Sequence, residues 1–183
     1  MLADLKADLD FVAVRYKKSR ARVVMSSRGF HALAAYRLAH WLWEREVPLL
    51  PLVLSGLILI LYGIDLDYRC KLAGGISIVH GIGIVIGVRA EVAAGTVIYH
   101  GVTLGYKGSR QRHDGFPKIG RNCLLGAGCK ILGDLTVGDD SIIGPNVVLT
   151  ESVPAHSLVR VPEPVITARH TAAASVPPVG GAL

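Results

Sequence analysis

Histidine is the side chain that ordinarily changes charge near neutrality, and this chain has seven. His80 follows the apolar run Ile76–Val79 and precedes Gly81. Asp65 lies fifteen residues upstream. An aspartate beside a histidine holds one imidazole tautomer and stabilises the protonated ring, as a general base acting on a hydroxyl requires. The competing reading of His80 is a surface histidine with no role. A second group occupies the segment 108–118, GSRQRHDGFPK, where Arg112 and His113 precede Lys118. Two cations and an imidazole on a loop can grip a carboxylate or a phosphate, and a solvated basic loop has the same composition.

The remaining candidates point to structure. His100 falls in a nominally inward position, which predicts a buried, hydrogen-bonded histidine. His31 and His40 sit on an expected helix as packing or surface residues, and His156 and His170 follow the repeat described next. Cys70, Cys123 and Cys129 share a small inward position, so they are expected to be buried thiols, not a disulfide, a metal site or a nucleophile. No zinc-type spacing occurs.

The elements that position these residues follow a period of six. One slot reads Leu66, Leu72, Ile78, Ile84, Ala90, Thr96 and Val102, and resumes as Ile119, Leu125, Ile131, Val137, Ile143 and Leu149. This period fits neither a helix nor a hairpin meander, but it does fit a parallel β-helix with one inward aliphatic residue per flat face. A second inward slot, which includes Cys70, Ile76, Ile82 and His100, is mostly small or β-branched. Gly74-Gly75, Gly126 and Gly144 mark corners where left-handed backbone angles are expected. Thirteen hexads at three per coil make roughly four coils, enough to bury a continuous core by stacking. Asp65 and His80, three residues short of one eighteen-residue coil apart, should lie on adjacent coils. The break at 108–118 should leave the solenoid as an extended loop.

Upstream, Leu5, Leu9, Val12 and Tyr16 predict one helix, and Ser26 or Ser27 is expected to cap a second. The uncharged stretch 47–62 predicts a helix buried against the solenoid end or a neighbouring subunit. It is short of the roughly 20 residues of a membrane span, so membrane-surface association is the less favoured reading. These signals divide the chain into a helical region (1–63), a β-helix (64–166) and a flexible tail (167–183). The 183 residues carry a net charge of +6, with 51% hydrophobic and only 6% aromatic residues. Much of the positive excess lies in Arg15, Lys17, Lys18, Arg20, Arg22 and Arg28, which reads as a solvated helix face or a site for anionic partners. Nucleic acid is the least favoured partner, because no base-stacking aromatics are interleaved. Residues 1–10 do not read as a secretory signal, so a cytoplasmic location is expected.

Several motifs carry a family resemblance. GIDLDYRCKLAGGISIVHGIGIVIG, HGVTLGYKG, RHDGFPKIG, LGAGCKILGDLTVGDDSIIGPNVVL and SVPAHS, with GFHALAAYRLAHWLW upstream, resemble serine acetyltransferases among the hexapeptide-repeat acyltransferases. The resemblance spans about residues 26–166. It implies a mainly β fold, a left-handed parallel β-helix after a short helical region. It also implies a homotrimer with sites between subunits, acetyl-CoA as cosubstrate and no metal. His80 would be the general base and Asp65 its partner. Arg112 and His113 would bind the acceptor's carboxylate. Gly105, Ala127, Gly128 and Pro145 would line the pantetheine arm, with Lys118 or Lys130 for the phosphates. The family commonly has Asp before the catalytic His, where this chain has Val79, and an Asp-Pro turn near the position of Val14. Losing both removes the obvious counter-charge for a serine ammonium.

The implied activity is acetyl transfer to the hydroxyl of L-serine or a serine-like molecule, in cysteine biosynthesis. A sugar or polysaccharide-precursor hydroxyl, and a non-catalytic scaffold, are the alternatives. Members of the family can dock a C-terminal aliphatic residue, commonly Ile, into the sulfhydrylase that uses their product, and with Leu183 in that place the resemblance implies the same partner for this tail.

Overall fold

The computed structural model describes residues 1–108 and 115–167. Arg112, His113 and the tail proper lie outside the described residues. From Ile64 onward the chain folds into three parallel sheets, visited in rotation. The first contains β1 (Ile64–Leu66), β4 (Ile84–Ile86), β7 (Thr103–Gly105), β10 (Lys130–Leu132) and β13 (Val148–Leu149). The second contains β2 (Lys71–Leu72), β5 (Glu91–Val92), β8 (Lys118–Ile119) and β11 (Thr136–Val137). The third contains β3 (Ser77–Val79), β6 (Val97–Tyr99), β9 (Leu124–Leu125), β12 (Ile142–Ile143) and β14 (Leu158–Val159). This is a β-solenoid of about four turns, consistent with a left-handed β-helix.

All thirteen predicted inward positions from Leu66 to Leu149 are buried. At about 1.5–3 kcal/mol for each fully buried Leu or Ile side chain, this stack is the main cohesive term of the solenoid. Its register differs from the expected one at a single place. Leu66 stacks on Ile86, twenty residues on, whereas Ile86 stacks on Leu104, eighteen on. Two extra residues therefore enter the first coil, at the corner after β3. There the backbone is left-handed at His80 (φ 63), Gly81 (φ 82) and Gly83 (φ 76). The slip turns part of the second inward slot outward. Ile82 is 60% exposed, and His100 is exposed instead of buried.

The corner glycines also need correction. Gly75 has positive φ, but Gly126 and Gly144 do not. A side chain at Gly126 would strike the backbone of Gly144 and Pro145 in the next coil, so close approach is what requires glycine there. Left-handed corners are instead taken by Asn122, Asp140 and Asn146, types that tolerate this conformation.

Four helices precede the solenoid: α1 (Leu2–Arg15), α2 (Arg20–Ser26), α3 (Arg28–Trp43) and α4 (Leu50–Tyr62). Ser27 caps α3, its hydroxyl accepting from Phe30 N at 3.3 Å. The short α2 has no counterpart among the helices expected from the sequence. The predicted helix in the uncharged stretch forms as α4, but the solenoid covers only one side of it. Pro51 and Ile58 are buried, while Ile60 and Leu61 are 80% and 66% exposed. Among the described residues no helix is long and apolar enough to cross a membrane.

The helices are clasped to the first coil through its backbone. Asp8, fully buried, accepts from Gly75 N (2.9 Å) and Ile76 N (3.0 Å) and pairs with Arg37 Nε at 3.1 Å. Arg37 donates in turn to the carbonyls of Leu72 and Ala73. Tyr36 donates to Cys70 O at 2.7 Å and accepts from Leu72 N at 3.3 Å. Burial pushes the Asp8 carboxyl above its usual range, against the pull of Arg37 and the two amides. Asp8→Ala leaves a buried guanidinium and two amides without their acceptor. Equilibrium urea unfolding should show a loss of about 3–5 kcal/mol, with a smaller loss in the Asp8→Ala/Arg37→Met pair than the two single losses added together.

Candidate active site

His80 stands on the widened corner where the chain passes from the third sheet to the first. The two extra residues project this corner outward, and neighbouring contacts hold it. Gly83 N donates to Gly63 O (2.7 Å) and Gly81 N to Val79 O (2.8 Å). A non-glycine residue with left-handed backbone is uncommon and persists where the surroundings enforce it. The corner below carries His100. Its ring meets that of His80 edge-on, with centroids 6.0 Å apart and planes at 68°. The exposure of His100, missed in the sequence because of the register slip, places two imidazoles side by side.

The same corner continues down the solenoid. Gly101 N donates to Ile82 O, Gly128 N to His100 O and Asn146 N to Ala127 O, each at 2.9 Å. Ala127, Gly128 and Pro145 thus sit on the corner column that His80 heads. Lys130 is beside it, its ammonium donating to Gly101 O (2.7 Å) and Gly128 O (3.0 Å). Five of the expected residues (His80, Ala127, Gly128, Lys130 and Pro145) share one edge of the prism.

Other expected residues lie elsewhere in the chain. Gly105 ends β7, across the width of the first sheet, where its carbonyl accepts from Gly133 N at 2.9 Å. Lys118 is exposed on the second sheet between Glu91 and Thr136, where it lines a groove with His40 and Lys71. Asp65 is exposed on β1, opposite Val85 of the next coil. It flanks the His80 corner on the adjacent coil, but among the described residues no hydrogen bond or ion pair joins the two within one chain. Phe116, at the end of the excursion, packs back over Gly87, with Tyr106 6.3 Å away and the Arg89 guanidinium 5.6 Å from its ring centre. That part of the segment is anchored to the solenoid.

A cleft of about 310 Å³ opens between the His80 corner and the helices. Val79 and Ser77 form its floor. Val12 of α1, Tyr16 just past its end, Lys18, and Ser27 and Arg28 at the start of α3 form its walls. Gly29 brings α3 this close, since any side chain there would overlap the Ile78 carbonyl. The wall residues were missed in the sequence, where the run from Arg15 to Arg28 read as a solvated face or anion site without a location.

The cysteines take no part in this site. Burial pushes the Cys70 thiol up to about 12 and Cys129 up to about 11, and it also raises Cys123. All three remain free thiols.

Comparison with known proteins agrees with this architecture. The model of the bacterial transferase hexapeptide family (six repeats) matches residues 116–151, which marks the solenoid as a hexapeptide transferase domain. The chain is 40% identical over 141 residues to serine acetyltransferase 2 of Arabidopsis thaliana, covering 77% of this chain and 43% of that one. It is 41% identical over 139 residues to the serine acetyltransferase of Mycobacterium tuberculosis, covering 75% and 59%. The chain thus spans about half the length of these relatives. With the serine acetyltransferase of Helicobacter pylori it shares 39% identity over 144 residues, 76% of this chain and 81% of that protein. The chain belongs to the serine acetyltransferase family.

Solved structures give the same answer. A Brucella abortus serine acetyltransferase in complex with coenzyme A superposes with a TM-score of 0.79 at 33% identity, over 86% of this chain and 64% of that one. A Neisseria gonorrhoeae serine acetyltransferase in complex with serine gives 0.79 at 30% identity, over 87% and 67%.

The burial of the thiols has a direct readout. In native protein at pH 8 all three cysteines should resist an aromatic disulfide reagent over minutes, and all three should react after denaturation.

Proposed function

We propose that this chain is an acetyl-CoA-dependent O-acetyltransferase that moves acetyl to the hydroxyl of L-serine or a serine-like small molecule. The observation that carries the reading is the His80 corner. A projecting imidazole, carried on left-handed backbone, opens into a cleft on one side and heads a column of small corner residues on the other. Relatives named for serine acetyl transfer and solved with coenzyme A or with serine support it.

In this reading the pantetheine arm of acetyl-CoA lies along the column of Ala127, Gly128 and Pro145, with Lys130 near the phosphates. The acceptor occupies the cleft. His80 takes the hydroxyl proton as that oxygen attacks the thioester carbonyl, and a tetrahedral intermediate forms. The C–S bond then breaks, and the proton passes from His80 to the departing thiolate, so that O-acetyl acceptor and CoA leave. Transfer is direct, because the thiols are buried and held protonated.

A homotrimer completes the site. Within one chain Asp65 makes no hydrogen bond or ion pair with His80 among the described residues, and Gly105 and Lys118 lie away from the His80 cleft; a neighbouring copy is the source for an Asp partner to His80, oxyanion-stabilising amides near Gly105 and a phosphate contact. Arg112 and His113, from the excursion, add to the cationic groups of the cleft that meet the acceptor carboxylate in the same arrangement. A cytoplasmic location and docking of the tail through Leu183 into a sulfhydrylase that consumes the product belong to this reading.

The test is release of free CoA thiol in the presence of acceptor. His80→Ala should lower kcat by about 10²–10⁴-fold with the fold unchanged by circular dichroism. Turnover within tenfold of the parent protein would remove His80 from the base role.

A further inference from the structure

The cleft beside His80 has an unusual charge. Among the described residues its lining holds two cations, Lys18 and Arg28, and no aspartate or glutamate. The acids of α1, the helix beside the cleft, are all engaged. On α1, Asp4 pairs with the N-terminal ammonium (3.1 Å), Asp8 with Arg37 (3.1 Å) and Asp10 with Arg20 (2.6 Å). Among the described residues neither Lys18 nor Arg28 has a carboxylate partner. The N-terminal turn of α3 faces the same space through Ser27, Arg28 and Gly29, and it carries no acidic residue to offset the helix dipole. Val79, the residue next to His80, lines the floor with an apolar side chain.

A zwitterionic amino acid brings a carboxylate and an ammonium into this space. The carboxylate is matched by Lys18, Arg28 and the α3 terminus. The ammonium meets two like charges and an apolar floor, with no aspartate or glutamate among the described lining residues of the chain to receive it. Tyr16 and Ser77, whose hydroxyls lie 3.5 Å apart, supply neutral hydrogen-bonding groups that suit a second hydroxyl. The volume of about 310 Å³ suits a small acid.

We infer that the preferred acceptor is a small hydroxy acid, a compound with a hydroxyl and an anionic group but no ammonium. This rests on the O-acetyltransferase reading and narrows its substrate class. The reaction is hydroxy acid plus acetyl-CoA giving O-acetyl hydroxy acid plus CoA. The new C–O bond replaces the C–S bond, and the hydroxyl proton ends on sulfur through His80. The anion sits at Lys18 and Arg28 while the reacting hydroxyl points to the His80 corner.

The experiment compares L-serine with D- and L-glycerate, which replace the ammonium of serine by a hydroxyl and keep the rest. Initial rates of CoA thiol release are measured with the full chain and acetyl-CoA at low ionic strength. The kcat/KM for the better glycerate enantiomer should exceed that for L-serine at least tenfold. The Lys18→Glu/Arg28→Glu variant should lower the glycerate value at least tenfold and raise that of L-serine. If the double variant fails to fold by circular dichroism, Lys18→Gln and Arg28→Gln singly should each raise KM for glycerate and leave kcat within threefold. Equal or faster turnover of L-serine, a preference untouched by these substitutions, or turnover of a nucleotide sugar alone would overturn the inference while leaving acetyl transfer in place. Absence of thiol release with every hydroxyl acceptor, from folded protein, would overturn the O-acetyltransferase reading as well.

Discussion

The first coil of a parallel solenoid has an open edge. Its strands pair with the coil below, and the backbone groups on the other side have no strand to meet. Here the helices satisfy that edge with side chains, in order along the coil. Ser55 donates to Leu66 O, His40 meets Tyr68 O, and Tyr36 bridges Cys70 O and Leu72 N. Arg37 then takes the Leu72 and Ala73 carbonyls, and Asp8 takes the amides of Gly75 and Ile76. Unsatisfied buried groups of this kind cost about 1–3 kcal/mol each. The cap therefore matters to the solenoid as much as the solenoid matters to the cap. It also fixes α1 and α3 at the end of the prism where His80 stands.

The ladder was legible because a six-residue period suits a β-solenoid and almost no other fold, and every position it named is buried. The slip of two residues was not legible, for a physical reason. The segment GISIVHGIGIVIG places isoleucine at Ile76, Ile78, Ile82, Ile84 and Ile86, every second residue apart from the His80–Gly81 step. Strand residues two apart point the same way, so hydropathy cannot tell an eighteen-residue coil from a twenty-residue one there. The backbone decides, through left-handed angles at His80, Gly81 and Gly83. One consequence was the placing of His100 inside, when it stands exposed beside His80.

The cleft was hidden for a different reason. Its walls come from residues 12–29 and its floor from residues 77–80, brought together by the cap. Lys18 and Arg28 belong to a basic run whose composition fits a solvated face as well as an anion site. Only the packing of Gly29 against Ile78 distinguishes the two. The corner column was more accessible. Ala127, Gly128 and Pro145 come from the family resemblance, and the repeat keeps their coils in register because the slip lies upstream of them. Gly105 and Lys118 follow from the family pattern, which describes an assembled site, whereas one chain holds them on other parts of the prism.

These placements divide the work between two structures. The solenoid supplies His80 and the column beneath it, the parts suited to a thioester and its pantetheine arm. The cap supplies Tyr16, Lys18, Ser27 and Arg28, the parts that meet an acceptor. The two touch at one seam, where Gly29 meets Ile78 two residues before His80. Surface charges on the cap can change with little effect on the inward ladder, since Lys18 and Arg28 are exposed. Asp8 and Arg37 lack that freedom, because the open edge of the coil depends on them. The charge of the acceptor can thus vary within a fixed acetyl-transfer framework, and the position of the cleft cannot.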